Sequence, residues 1–141
     1  RPLPGETPDF QAVYADVADL GVQFLGVDVK DDRQLAQAFV DSVGAEYPSL
    51  FDPRGEVAMA FRGFPANVVP STILIDGAGQ VAAVYVAVVP EQDLRRALDQ
   101  LLAEQMRVSE LGDAFAAIVS DGSLVLAAAV AALVGLISFA S

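Results

Sequence analysis

Val68-Val69-Pro70-Ser71-Thr72-Ile73-Leu74-Ile75-Asp76 sets a proline against a β-branched apolar run that ends in an acid and a glycine-containing turn. Proline has no amide hydrogen to give a sheet ladder, so it belongs at the first residue of a strand or at an edge. Pro70 therefore marks where a strand begins. Ser71 to Ile75 shows little polar alternation, as expected of a central strand covered on both faces, and Asp76-Gly77-Ala78-Gly79 turns the chain directly after it. Gln80 to Val88 then reads as the second arm of an antiparallel hairpin.

Upstream of this strand, Phe10, Val13, Tyr14, Val17 and Leu20 fall on one face of an amphipathic helix that Thr7-Pro8-Asp9 opens and Gly21 ends. Val22 to Val29 is a strand rich in β-formers. Asp31 and Asp32 cap a second helix with Leu35, Ala38, Phe39 and Val43 on its inner face, ending at Gly44. Strand, helix and strand in this order imply a right-handed crossover and a parallel pair. Tyr47 to Asp52 supplies the second strand of that pair, and a short helix occupies Gly55 to Phe61. Gly63, Pro65 and Asn67 make the approach to Pro70 a loop. Pro90 starts a last helix whose Leu94, Ala97, Leu98, Leu101 and Leu102 form one stripe. The expected order is α-β-α-β-α-β-β-α, an α/β domain with a parallel start, an antiparallel end and helices on both faces.

Composition narrows the chemistry. In 141 residues there are 19 acids against 8 bases, a formal net charge of -11, which repels a phosphate backbone and argues against nucleic acid as a partner. There is no cysteine and no histidine. Thiolate chemistry, disulfides, the usual zinc sites and His-dependent triads are thereby excluded for these residues. Asp28, Asp31 and Asp32 lack the spacing of a calcium loop and read as strand-end and capping acids. Gly77 and Gly79 lack the Gly-Lys-Ser/Thr of a phosphate loop and read as hairpin glycines.

Three blocks together, Phe24-Leu25-Gly26-Val27-Asp28-Val29 with Asp31-Asp32, Tyr47-Pro48-Ser49-Leu50-Phe51-Asp52-Pro53-Arg54-Gly55-Glu56-Val57, and Val69 to Asp76 followed by Gly79-Gln80-Val81, resemble successive blocks of the TlpA/ResA-like thioredoxin-fold oxidoreductases. The resemblance covers roughly Thr7 to Glu104. It implies a thioredoxin-like fold truncated at its N-terminus, with Pro70 as the cis-proline facing an active-site dithiol. In the family that Cys-x-x-Cys lies at the end of a preceding strand and the start of the first helix. Arg1 and Glu6-Thr7-Pro8 resemble its continuation, with about three extra residues, so the chain is expected to begin directly after the second cysteine.

The resemblance implies that Val69 and Pro70 hold the backbone of a protein substrate carrying a disulfide or thiol, and that Phe64 offers a neighbouring apolar contact. Glu6 is a candidate proton relay, and equally a first-turn acid favoured by the helix dipole. Tyr85 and Val86 are expected to pack in the core. No cofactor and no metal is called for. The implied activity is thiol-disulfide exchange in cytochrome c maturation or related extracytoplasmic reduction, with the residues given inert for want of a thiol. A non-catalytic thioredoxin-fold binding or scaffold module is the alternative. A peroxiredoxin-like peroxidase is a further one, needing a cysteine in the first helix.

Three regions are expected: a thioredoxin-like domain over 1–104, a linker with a short amphipathic helix over 105–121, and a transmembrane helix over 122–141. The last stretch is free of charge and has about the 20 residues that span a bilayer. The scarcity of Lys and Arg before it places the domain on the extracytoplasmic side. Met106 to Ser141 also resembles the start of the CcdA/DsbD-type membrane thiol-disulfide transporters, which would make such a transporter the redox partner.

Overall fold

The computed structural model describes residues 6–29, 32–63, 68–120 and 134–140. Helix α1, Glu6–Val17, opens the described chain and buries Phe10, Val13 and Val17, the face its spacing predicts. Leu20 departs from that face and is 61% exposed. The cause is local: after Val17 the chain tightens into a 3-10 turn, Ala18–Leu20, whose three-residue period rotates Leu20 away from the stripe.

Strand β1, Val22–Asp28, pairs in parallel with β2, Ser49–Phe51, across helix α2, Arg33–Val43. Asp32 caps α2 as expected, its Oδ1 accepting from the Gln34 amide at 2.8 Å. The inward face keeps the expected Phe39 but is otherwise rotated from the one expected. Ala36, Phe39 and Val40 are half-buried, whereas Leu35 is 66% exposed and Ala38 is exposed. Both sets have helical spacing, so the periodicity fits either face and only docking chooses. Gly26 lies under β2 and Tyr47, where an added Cβ would meet Ser49 Oγ at 3.3 Å and the Tyr47 ring at 3.6 Å. That close approach explains a glycine inside a strand.

After helix α3, Glu56–Ala60, strands β3, Ser71–Ile75, and β4, Val81–Tyr85, form the expected antiparallel hairpin. The Asp76 carboxylate closes its turn, accepting from the amides of Ala78 and Gln80, each at 2.9 Å. Helix α4, Glu91–Ser120, follows without interruption through the stretch expected as a linker. Its first half buries Leu94, Leu98 and Leu101. Arg95 ties it to α1 and to its own first turn, reaching Asp16 and Glu91 at 2.8 Å each. The hydrogen bond that Arg95 donates to Glu91, then the one it donates to Asp16, hold this guanidinium above its already high ordinary pKa. At the surface such pairs contribute about 0–1 kcal/mol each.

The main departure from expectation is at the C-terminus. Residues Val134–Ala140 form a strand, β5, not the end of a transmembrane helix. The five-stranded sheet runs β2-β1-β5-β3-β4. β5 lies parallel to β1, from Val22↔Val134 to Asp28↔Ala140, and antiparallel to β3, from Ser71↔Phe139 to Ile75↔Gly135. What remains of the charge-free stretch falls short of the roughly 20 residues a span needs. Its residues 122–133 and 141 lie outside the described residues, and no described helix is long and apolar enough to cross a membrane. An apolar run of β-branched and small residues fits a buried central strand as well as a membrane helix, and two waiting strand edges settle the matter here.

Alternation along the strands sends side chains to two cores. On one face α1 and α4 cover Val22, Phe24, Leu74 and Leu136, with Tyr47 completing an aromatic group. Phe24 is 5.4 Å from Tyr14 and 5.8 Å from Tyr47 between ring centroids, pairings that add about 0.5–1.5 kcal/mol each beyond burial. On the other face Val27, Ile73 and Phe139 meet α3, with Phe61 edge-on to Phe139 at 6.0 Å. Phe139→Ala is accordingly expected to cost about 3–5 kcal/mol, and Leu35→Ala to stay within about 0.5 kcal/mol. Urea denaturation of the two variants checks this; a near-neutral Phe139→Ala would remove β5 from the core.

Candidate functional site

The parallel strands β2, β1 and β5 all end at the same edge of the sheet, the place where open α/β sheets bind ligands. Register places Phe51, Asp28 and Ala140 side by side at that edge. Antiparallel β3 begins there, because Ser71 stands opposite Phe139. The segment leading into β3 is therefore delivered to the carboxyl end of β5. Within it the Val69–Pro70 peptide is cis, as the family resemblance implies for Pro70. The Ser71 hydroxyl donates to the Val68 carbonyl and fixes this corner. Val69 and Pro70 are half-buried, Val69 packing against the Ile73–Phe139 core, while Val68 is 45% exposed.

Of the other residues singled out in the sequence, Glu6 starts α1. The α1–β1 reversal at Gly21 directs this helix start toward the same edge. Its side chain and the whole of Phe64 lie outside the described residues. Tyr85 packs against the core as expected, but Val86 is 45% exposed because β4 ends at Tyr85 and the ladder no longer holds it. With Val88, 40% exposed, it gives the β4–α4 connection an apolar surface.

Two features of the edge were not anticipated. Asp52, 7% exposed, caps α3 by accepting from the amides of Glu56 at 3.0 Å and Val57 at 2.9 Å. Its own amide donates to the Asp28 carbonyl at 2.7 Å, so β1, β2 and α3 are joined at one point. The signal was present in Asp52-Pro53-Arg54-Gly55-Glu56, an acid and a turn just before a helix. The second is a buried hydroxyl pair, Thr72 and Ser138, 3.4 Å apart across β3 and β5. Among the described residues no cluster of acids is arranged to hold a metal ion.

A family profile described as "AhpC/TSA family" matches residues 1–84, which take in the edge from α1 to the β3–β4 hairpin. The chain belongs to the AhpC/TSA family. Within it, the chain is similar to thioredoxin-like thiol-disulfide oxidoreductases. It is 26% identical over 101 residues to "Thiol-disulfide oxidoreductase ResA" of Geobacillus kaustophilus, a match covering 72% of this chain and 56% of that one. It is 30% identical over 84 residues to "Thiol:disulfide interchange protein HelX" of Rhodobacter capsulatus, covering 59% and 46%. A solved structure of a secreted thiol-disulfide isomerase from Corynebacterium glutamicum matches with a TM-score of 0.65 and 33% identity, over 70% of this chain and 61% of that one. The chain thus spans about half the length of the curated relatives it matches.

The resemblance implies a strand that ends at the dithiol opposite Pro70; in this chain the strand ending there is β5. The cap on α3 supplies a check on the edge. Asp52→Ala is expected to cost about 1–2 kcal/mol by leaving two buried-side amides without an acceptor. Hydrogen exchange at Glu56 and Val57 should quicken while exchange in the β3–β4 hairpin stays as it was.

Proposed function

We propose that this chain is the substrate-docking part of an extracytoplasmic thiol-disulfide oxidoreductase, acting on protein disulfides of the kind met in cytochrome c maturation. The observation that carries the reading is the delivery of Val69-Pro70 to the carboxyl edge of β5, within the stretch that matches the family. The "secreted" isomerase among the similar structures supports the extracytoplasmic location.

Thiol-disulfide exchange needs a thiolate to attack one sulfur of the substrate disulfide, a mixed disulfide, and a second thiol to release the reduced substrate. The reducing dithiol is oxidised to a disulfide as the substrate gains two thiols. None of the 141 residues is a cysteine, so both thiols must come from outside them. What these residues contribute is position. Val69 lies just before β3, where its peptide groups can align an extended substrate backbone, and the exposed Val68, Val86 and Val88 offer it apolar contact. Glu6, at the start of α1, would take or supply the proton, and Phe64 would widen the apolar contact.

The same lack of cysteine favours a second reading, a thioredoxin-fold binding module without catalysis. The residues encoded before Arg1 separate the two: a Cys-x-x-Cys there supports the oxidoreductase, and an intact protein with no cysteine sinks it. For the docking role, a short peptide closed by a disulfide is expected to shift the amide resonances of Val69, Ser71 and Asp28, and Val69→Lys to weaken its binding about tenfold, or about 1.4 kcal/mol. Shifts confined to α4, or none at millimolar peptide, would overturn it. Insulin reduction by dithiothreitol should proceed at the uncatalysed rate when the 141-residue chain is added.

A further inference from the structure

Strand β1 ends in an acid that the fold buries: Asp28 is 8% exposed. Its backbone carbonyl accepts from the Asp52 amide at 2.7 Å, so the corner uses the main chain of Asp28 and keeps that bond whatever the side chain. Taking a carboxylate out of water is costly, which makes a buried strand-end acid at a candidate site a candidate for chemistry. Alternation along β1 gives its direction. A Cβ on Gly26 would meet the Tyr47 ring at 3.6 Å, so this set of positions faces the core that Phe24 and Tyr47 share with α1. Asp28 is the next residue of the set.

Two elements converge on this carboxyl. Phe10 lies edge-on to Phe24 at 6.4 Å between centroids, and Tyr14 is 5.4 Å from the same ring. From Phe10 the helix runs back about 6 Å to Glu6, while from Phe24 the strand runs on about 13 Å to Asp28. Asp28 therefore stands just past the first turn of α1. The second element is β5, whose Ala140 is the register partner of Asp28. The resemblance implies a dithiol between a strand that ends at this edge and the start of α1, and Asp28 faces that junction from beneath.

We propose that the Asp28 carboxylate accepts the proton of the second thiol as the reduced substrate is released, an inference that rests on the oxidoreductase reading above. In that step the thiol gives its proton to the carboxylate, and the resulting thiolate attacks the enzyme-side sulfur of the mixed disulfide. The internal S–S bond forms, and the substrate sulfur leaves as a thiolate that takes up a proton. With a peptide lying over Val68, Val86 and Val88, the outer side of the site is covered, and a base placed beneath it stays in reach. The other titratable or charged groups on the elements around Asp28 are Glu6 and Tyr14 of α1, Tyr47, Asp52 and Arg33. Asp52 is engaged in capping α3, and Arg33 lies over the ring of Phe51, the neighbour of Asp28 on β2, at 5.5 Å. Among its described residues β5 adds none.

The test uses the intact protein with the residues encoded before Arg1. The Asp28 carboxyl carbon is followed by NMR against pH, first with the dithiol reduced and then with it oxidised. Proton transfer between the two groups couples their titrations, so the midpoint is expected to move by about one pH unit or more between the redox states. Asp28→Asn keeps the size of the side chain and removes the proton acceptor. In this variant, stopped-flow release of a reduced peptide from the mixed disulfide is expected to slow about a hundredfold and to lose the pH dependence that the carboxylate sets, with urea denaturation reporting the fold. An unchanged midpoint in the unaltered protein overturns the proposal whether or not the variant folds. A folded Asp28→Asn with the unaltered rate and pH profile overturns it as well. Either result in a protein that reduces disulfides leaves the oxidoreductase reading standing, whereas an intact protein with no cysteine overturns both.

Discussion

Two strand edges that cannot be left open govern this molecule. β1 and β3 belong to different halves of the chain, one parallel and one antiparallel in its pairing, and each needs a neighbour on its inner side. β5 satisfies both at once, parallel to β1 and antiparallel to β3. Its side chains also divide between the two cores, Leu136 beneath α1 and α4 and Phe139 beneath α3, so one strand couples hydrogen bonding to burial on both faces. A strand with no polar alternation suits only such a position.

The candidate site follows from the same arrangement. Because β5 runs with β1 and against β3, its carboxyl end meets the start of β3, and Val69-Pro70 is brought to the end of β5, one strand away from Asp28. Asp52 holds β2 and α3 to that corner through three hydrogen bonds, two accepted by its carboxylate and one donated by its amide. The edge is therefore well braced and partly apolar, with Val68, Val86 and Val88 accessible beside it. Such a surface can hold an extended peptide, while the reacting sulfurs have to be supplied from beyond these residues.

Much of this was legible in the residues. Pro70 at the head of a β-branched run located β3, the Asp76 turn located the hairpin, and Asp32 located the start of α2, each through a local rule about donors, turns or caps. Failures came where a pattern was compatible with two outcomes. The α2 sequence has two faces at helical spacing, and Ala36 and Val40 docked beside the expected Phe39 in place of Leu35 and Ala38. Leu20 fell out of its stripe when the last turn tightened. Val86 lay one residue beyond the ladder that would have buried it.

The sequence by itself determined the local elements from α1 to the first half of α4, the parallel and antiparallel pairings within each half, and, through the absence of cysteine, that no thiol chemistry resides in these residues. Only the tertiary structure decided the role of residues 134–140. Their apolarity says that they must leave water, and it does not say whether lipid or protein receives them. That choice depends on unpaired backbone groups in β1 and β3, more than a hundred residues and about sixty residues away along the chain, which no local pattern can register.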